Sequence, residues 1–296
     1  MAHDLTHLVN LKQLKALGTK VKGSLDTLFG RTTGLELHNA GSHNAIYRGK
    51  NLGTEPTAAQ WAAIKAGTFE DLYIGDYWQK EVTYDFPDPA NDDALTSITA
   101  THKVLIADFD TFWGIHKDDS SDIHVHHIIV VPEVSIGVNC PWHNETDAHV
   151  GYGNSKAKNV YTDIGGYNFF KAFFGDSHLV SFNIQVPMTA STTELKYSTS
   201  ASTTMKTCLL NSYMIHGNNE NTFTFHWYNN SQLALFRLSQ PDQRSGSIWW
   251  TADLYNNQNG NYVSVNWPGN MYYPSGEAIT QSTRVKIRPF ACIYQA

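Results

Sequence analysis

Two tryptophans stand side by side at Trp249 and Trp250, in the stretch SIWWTADLY. Successive side chains on a strand point to opposite faces, so one ring is expected in a core and the other outward. A pair this close to the end of the chain reads as part of a strand that closes a compact body. Its neighbours agree. FTFHWYN, LALFRL, YVSVNW and RVKIRPFACIY are short apolar runs separated by turn residues, and the C-terminal third is expected to be β-rich. Upstream, the segment carrying Leu72, Ile74, Tyr77 and Trp78, then THKVLIADFDTFW, then HVHHIIVVPE, read as three further strands. Thr57 with Gln60 three residues on forms a capping box, Ala58 to Ala66 favour helix, and Gly67 is a natural stop. Trp61 and Ile64 share one face of that helix, expected to lie on the sheet. Between Pro141 and Gly217 the chain is rich in Asn, Gly, Thr and Tyr, with short helical pieces and one helix expected to end at Gly217.

The N-terminus has a different period. Leu11, Leu14, Val21, Leu25 and Leu28 recur at alternating steps of three and four, with Gly18 in the intervening slot and Leu8 and Leu17 widening the stripe. So short a helix is marginal by itself in water and needs partners. A helix packed on its own domain and a multi-chain bundle both meet that need; the wide stripe favours three or more helices. The glycine-bearing stretch FGRTTGLELHNAGSHNA then separates it from the rest. The expected organisation is a helical oligomerisation segment and linker at 1–44 and a head at 45–296. Residues 1–31 carry Lys12, Lys15, Lys20, Lys22 and Arg31 against Asp4 and Asp26, a cationic arm that could dock on an acidic surface or serve as a solvated helix face.

Only 16% of the 296 residues are charged and the formal net charge is −6. A negative balance of this kind provides no electrostatic footprint for nucleic acid. No window approaches the ~18 apolar residues of a membrane span, so no membrane insertion is expected. The first residues lack the apolar core of a secretory leader, and an extracellular role would call for release by lysis. Cys140, Cys208 and Cys292 lie far apart and have no metal-binding spacing; buried free thiols are expected.

The polar motifs are incomplete. His124, His126 and His127 begin a run whose glutamate, Glu133, lies too far on for a cupin metal site. Asp108, Asp110, Asp118 and Asp119 cluster, but Phe112 and Trp113 occupy positions where a calcium loop needs a ligand and a glycine. No cofactor or metal is expected, with calcium left open. GNSKA, Gly153 to Ala157, is a nucleophile elbow broken at its last position, and QPD at Gln240 to Asp242 lacks its lectin partner motif. No catalytic residue is assigned. Aromatic rings beside amide donors suit the apolar faces and hydroxyls of sugars. On that ground Trp250, Asp253, Trp267, Tyr272 and Tyr273 form the candidate ligand surface, with core or interface packing as the competing use.

NLGTEPTAAQWAAIKAGTFEDLYIGDYW, IADFD, HHIIVVPE, HVGYGNSKA, LALFRL, IWWTADLY and RVKIRPFACIY follow one another in this order. Together they resemble a family of structural fibre or appendage proteins of tailed phages of Gram-positive bacteria. The resemblance spans almost the whole chain. It implies an α+β fold: an N-terminal oligomerising helix, then a β-rich C-type-lectin-like head with short helices. It further implies a non-enzymatic virion protein on the particle exterior, homotrimeric, anchored to capsid or tail proteins, and displaying heads to host or environmental glycans. A purely structural decoration and a carbohydrate-degrading virion enzyme are the alternatives. Thr251, Ala252 and Asp253 stand where the family commonly has Arg-Asp. Formylglycine-generating enzymes share the fold class, but the three scattered cysteines do not form their catalytic arrangement.

Overall fold

A computed structural model describes residues 40–114, 116–118, 121–143, 151–190, 197–211, 214–215, 217, 232–239, 249–257, 260–267, 270–272 and 284–296. The strands are β1 (Tyr77–Asp88), β2 (Ala94–Phe109), β3 (His116–Asp118), β4 (Ser121–Asp122), β5 (Ile128–Pro132), β6 (Ile136–Pro141), β7 (Phe182–Ala190), β8 (Tyr197–Met205), β9 (Thr207–Leu209), β10 (Trp249–Asn257), β11 (Gly260–Trp267), β12 (Asn270–Tyr272), β13 (Arg284–Ile287) and β14 (Pro289–Ile293). One five-stranded sheet runs β1-β2-β5-β14-β9, a second runs β12-β11-β10-β13-β6, and β3-β4 and β7-β8 are two-stranded. Pairing is antiparallel except between β10 and β13. The architecture is α+β.

The chain's end locks both sheets. β13 sits between β10 and β6, and β14, one residue later, sits between β5 and β9. Arg288 joins them, fully buried; its Nε donates to the Pro132 carbonyl at 2.9 Å, and its guanidinium lies over the rings of Trp249 and Phe236. This position explains the tryptophan pair, although not as expected. Trp249 and Trp250 are both 1% exposed. They do point to opposite faces, but both faces of β10 are covered. Trp249 meets Arg288, while Trp250 meets Trp142, with ring centroids 5.7 Å apart, and donates Nε1–H to the Cys140 carbonyl at 2.9 Å.

Helix α1 (Ala58–Ala66) forms as its sequence dictates. Thr57 and Gln60 make the reciprocal capping box, and Gly67 closes the helix in the left-handed region at φ 69°. Gly67 is also a close approach: a Cβ there would meet the His126 ring at 2.4 Å. Gln60 Oε1 additionally accepts from Trp78 Nε1 at 3.3 Å, which ties the cap to the first sheet. Ile64 is buried, whereas Trp61 is only half-buried and stacks on His178 at 4.0 Å.

A wide-turn π-helix, Ala157–Gly166, leads directly into helix α2 (Tyr167–Phe174). The four phenylalanines of α2, Phe169, Phe170, Phe173 and Phe174, are all buried. Each contributes about 1.5–3 kcal/mol of apolar burial before conformational entropy is counted. Gly165 is required for contact: a Cβ there would meet Phe86 of β1 at 2.4 Å.

Several local expectations are corrected by tertiary context. LALFRL is not a strand; Ala234–Leu238 form helix α3, and Leu233 to Phe236 are buried. The histidines of HVHHIIVVPE precede β5 and are not on it, and the strand expected from Leu72 begins at Tyr77. β9 occupies Thr207–Leu209, and of the helix expected to end at Gly217 the described residues Met214 and Ile215 are helical. His43 Nδ1 hydrogen-bonds with the Leu72 carbonyl at 2.7 Å, and Asn44 exchanges two bonds with the Phe109 backbone, so residues 43 and 44 contact the segments that carry Leu72 and β2. All three cysteines are free and buried, as expected. Leu11, Leu14, Val21, Leu25 and Leu28 lie outside the described residues.

Candidate functional site

Of the five residues of the candidate ligand surface, only Trp250 has a described side chain. Trp250 is enclosed and unavailable to a ligand. Asp253, Trp267 and Tyr272 are placed on β10, β11 and β12, with Val265 opposite Tyr272 and Trp267 opposite Asn270; their side chains, and the whole of Tyr273, lie outside the described residues. The motifs with polar residues serve the fold. Ser155 of GNSKA is buried; its hydroxyl donates to the Tyr152 carbonyl and accepts from Lys158 N–H. Asp110 accepts from His126 Nδ1 at 2.7 Å and from the His127 N–H at 2.9 Å. His127 Nδ1 bonds the Val125 carbonyl and its Nε2 accepts from Phe112 N–H, which makes it a buried neutral ring whose pKa burial lowers. The His126 ring stacks on Trp113 at 4.6 Å. Among the described residues no three His, Cys, Asp or Glu side chains gather as a metal-ligand set.

The open polar feature lies elsewhere. Two cavities, of about 490 and 350 Å³, adjoin and share Ser181 and Lys206 as a common wall. Asp176, Ser177, His124 and Tyr294 line the larger; Asp163, Tyr167, Thr204 and Thr207 line the smaller. Local structure delivers each of them. Gly175, at φ 88°, turns the chain out of α2 so that Asp176–His178 form a short turn at its foot. That turn is pinned to the chain's end: Tyr294 N–H donates to the His178 carbonyl and Val180 N–H to the Cys292 carbonyl. Lys206 occupies the one-residue break between β8 and β9.

The π-helix positions Asp163. Winding from residue i to i+5 puts residues five apart on one face, which an α-helix would not do. Lys158 Nζ accordingly donates to Asp163 Oδ2 at 2.7 Å, and Thr162 Oγ1 donates five residues back to the Ala157 carbonyl. Burial pushes the Asp163 carboxyl above its ordinary pKa, with Lys158 opposing. Asp176 moves the other way: the Lys206 ammonium at 2.5 Å and the Tyr167 hydroxyl at 2.8 Å hold its carboxyl low, and the same bond raises the Tyr167 hydroxyl. Both of these bonds fall on Asp176 Oδ1. Oδ2 receives none among the described residues, on a side chain that is half exposed.

Sequence reading missed Asp163, Tyr167, Asp176, Ser181 and Lys206. The available signals were weak: a glycine after an aromatic helix in FFGDSH, and a Lys-to-Asp spacing of five that ordinary helical periodicity discards. Set against family profiles, curated proteins and solved structures, the chain matches none. No helix among the described residues is long and apolar enough to cross a membrane.

Proposed function

We propose that this protein is a phage virion appendage, of head-fibre, decoration or tail-appendage type. It is anchored by its N-terminal helical segment as a homotrimer and displays a C-type-lectin-like head that binds glycans. The ordered set of sequence motifs supports the virion assignment, and the α+β head closed by its own C-terminal strands is consistent with the lectin-like part. The observation that carries glycan binding is the pair of adjoining cavities. Together they bring an ion pair with an open carboxylate oxygen, four Ser and Thr residues and two tyrosines to the two sides of one wall. Three copies on one stalk would turn weak single-site contacts into firm attachment.

The test has two arms. Gold-labelled antibody against the protein should decorate intact particles, with the purified chain running as a trimer by light scattering. The same trimer should retain glycans on an array. An unlabelled particle ends the virion reading, and an array without retention ends the lectin reading.

A second reading, cleavage of a glycan, has one observation in its favour. Asp163 and Asp176 belong to adjoining cavities with their carboxyl pKa values displaced in opposite directions, which is how acid and base roles are divided between two carboxylates. New reducing ends released from a retained glycan, abolished in Asp163→Asn, would establish it.

A further inference from the structure

We infer that the two-cavity groove takes a neutral, hydroxyl-rich saccharide of at least two units, one unit on each side of Lys206, with the Asp176 carboxylate as its principal acceptor. The inference rests on the glycan-binding reading and narrows it to a ligand class.

Charge balance is the first argument. Each carboxylate already has its own ammonium partner, Asp176 with Lys206 and Asp163 with Lys158, while Lys171 acts on Asp176 only at longer range. An anionic sugar entering the groove would face both carboxylates and find its lysine already engaged; a cationic one would meet the Lys206 ammonium. A neutral ligand incurs neither cost, because like-charge juxtaposition is what an interface uses to reject wrong partners.

Bonding capacity is the second. Asp176 Oδ1 is filled by Lys206 and Tyr167, so the carboxylate is held in orientation while Oδ2 accepts from no group among the described residues. A sugar hydroxyl is a donor that also accepts, and the Lys206 ammonium has donors beyond the one that Asp176 takes. Adjacent hydroxyls of one ring can thus bond the carboxylate and the ammonium together. Lys206 also lies over the Tyr167 ring at 5.6 Å, which fixes the wall between the cavities. The third argument is shape: two compartments meet at the wall formed by Ser181 and Lys206, which suits consecutive units of a chain more than one compact ligand.

The experiment is a glycan array carrying matched neutral and uronate-bearing saccharides, probed with the full-length protein. Titration calorimetry then follows with the best-retained trisaccharide. Retained glycans should be neutral, with uronate counterparts at least about tenfold weaker. Asp176→Ala and Lys206→Met should each weaken binding by about tenfold or more, which is roughly 1.4 kcal/mol. Asp176→Asn, which keeps an acceptor and frees the Lys206 charge, should narrow the discrimination against uronates. The Lys206 and Asp176 side chains are 31% and 50% exposed, so unchanged thermal unfolding verifies that the variants fold. Retention of uronates over neutral glycans, lost in Lys206→Met, overturns the ligand class while the lectin reading stands. Glycan binding indifferent to all three variants overturns the groove. No retention by the parent protein instead overturns the lectin reading itself.

Discussion

Two ionic clusters in this protein have nearly the same ingredients and opposite character. Near the entry of the chain, Arg48 and Lys50 meet Asp71 and Asp76; at the groove, Lys206 and Lys158 meet Asp176 and Asp163. Asp76 is fully buried, and both of its oxygens are saturated. Oδ1 accepts from Arg48 Nε and Lys50 N–H, and Oδ2 from Arg48 Nη2 and Tyr73 N–H. The cluster clips residues 48–50 onto the turn before β1. Asp176 is half exposed and filled on one oxygen only, beside a cavity. A closed network holds structure. An open one keeps capacity for something else.

That contrast can be broken most directly by substitution. Asp76→Ala leaves Arg48 Nε and two backbone N–H groups without their acceptor, with Asp71 still holding the guanidinium. It should cost about 3–5 kcal/mol in urea unfolding. Asp176→Ala, at an exposed and solvent-screened pair, should leave the urea midpoint nearly unchanged. Equal losses would dissolve the distinction.

A second prediction extends the contrast to a buried group with no hydrogen-bond partner among the described residues. His102 on β2 is 8% exposed, both ring nitrogens lack hydrogen bonds, and it meets Tyr84 and Phe169 edge-on. Burial lowers its pKa below 6.5, with Lys286 adding to the effect. The unfolded chain therefore takes up a proton first as the pH falls. Stability is full above about pH 6.5 and declines below it, with the buried His127 contributing in the same direction. Unfolding followed from pH 8 to pH 5 should show this slope, and His102→Leu should flatten part of it. An unchanged slope would mean that His102 finds a partner on protonation.

The smallest effect belongs to the exposed member of the closed cluster. Lys50 and Arg48 hold the Asp71 carboxyl down to about 2 from its ordinary 3.8. Its contribution is complete above about pH 3.8 and is lost as the pH falls toward 2. Asp71→Asn should remove a shallow, salt-screened slope in that window and leave stability at pH 7 nearly unchanged.

How much was legible follows from the range of each signal. The capping box of α1 and the Gly67 stop involve residues within four positions of one another, and both were read directly. LALFRL misled because a short apolar run does not state its period; burial of Leu233, Leu235 and Phe236 decides it. The groove was invisible for a related reason. Asp163 is displayed by a π-helix, Asp176 by the turn after Gly175, and Lys206 by a break between strands, and no spacing in the chain connects them.

The sequence by itself determined which segments repel water and where turns interrupt them, including the buried thiols and the tryptophan strand. Only the tertiary structure decided that both faces of that strand would be covered, and that the polar opening would lie beside Lys206. The contacts responsible span long intervals, such as Trp250 to Cys140 and Tyr294 to His178. Burial is a property of what packs against a residue, and strand alternation can say only that two rings part company, never what waits on either side.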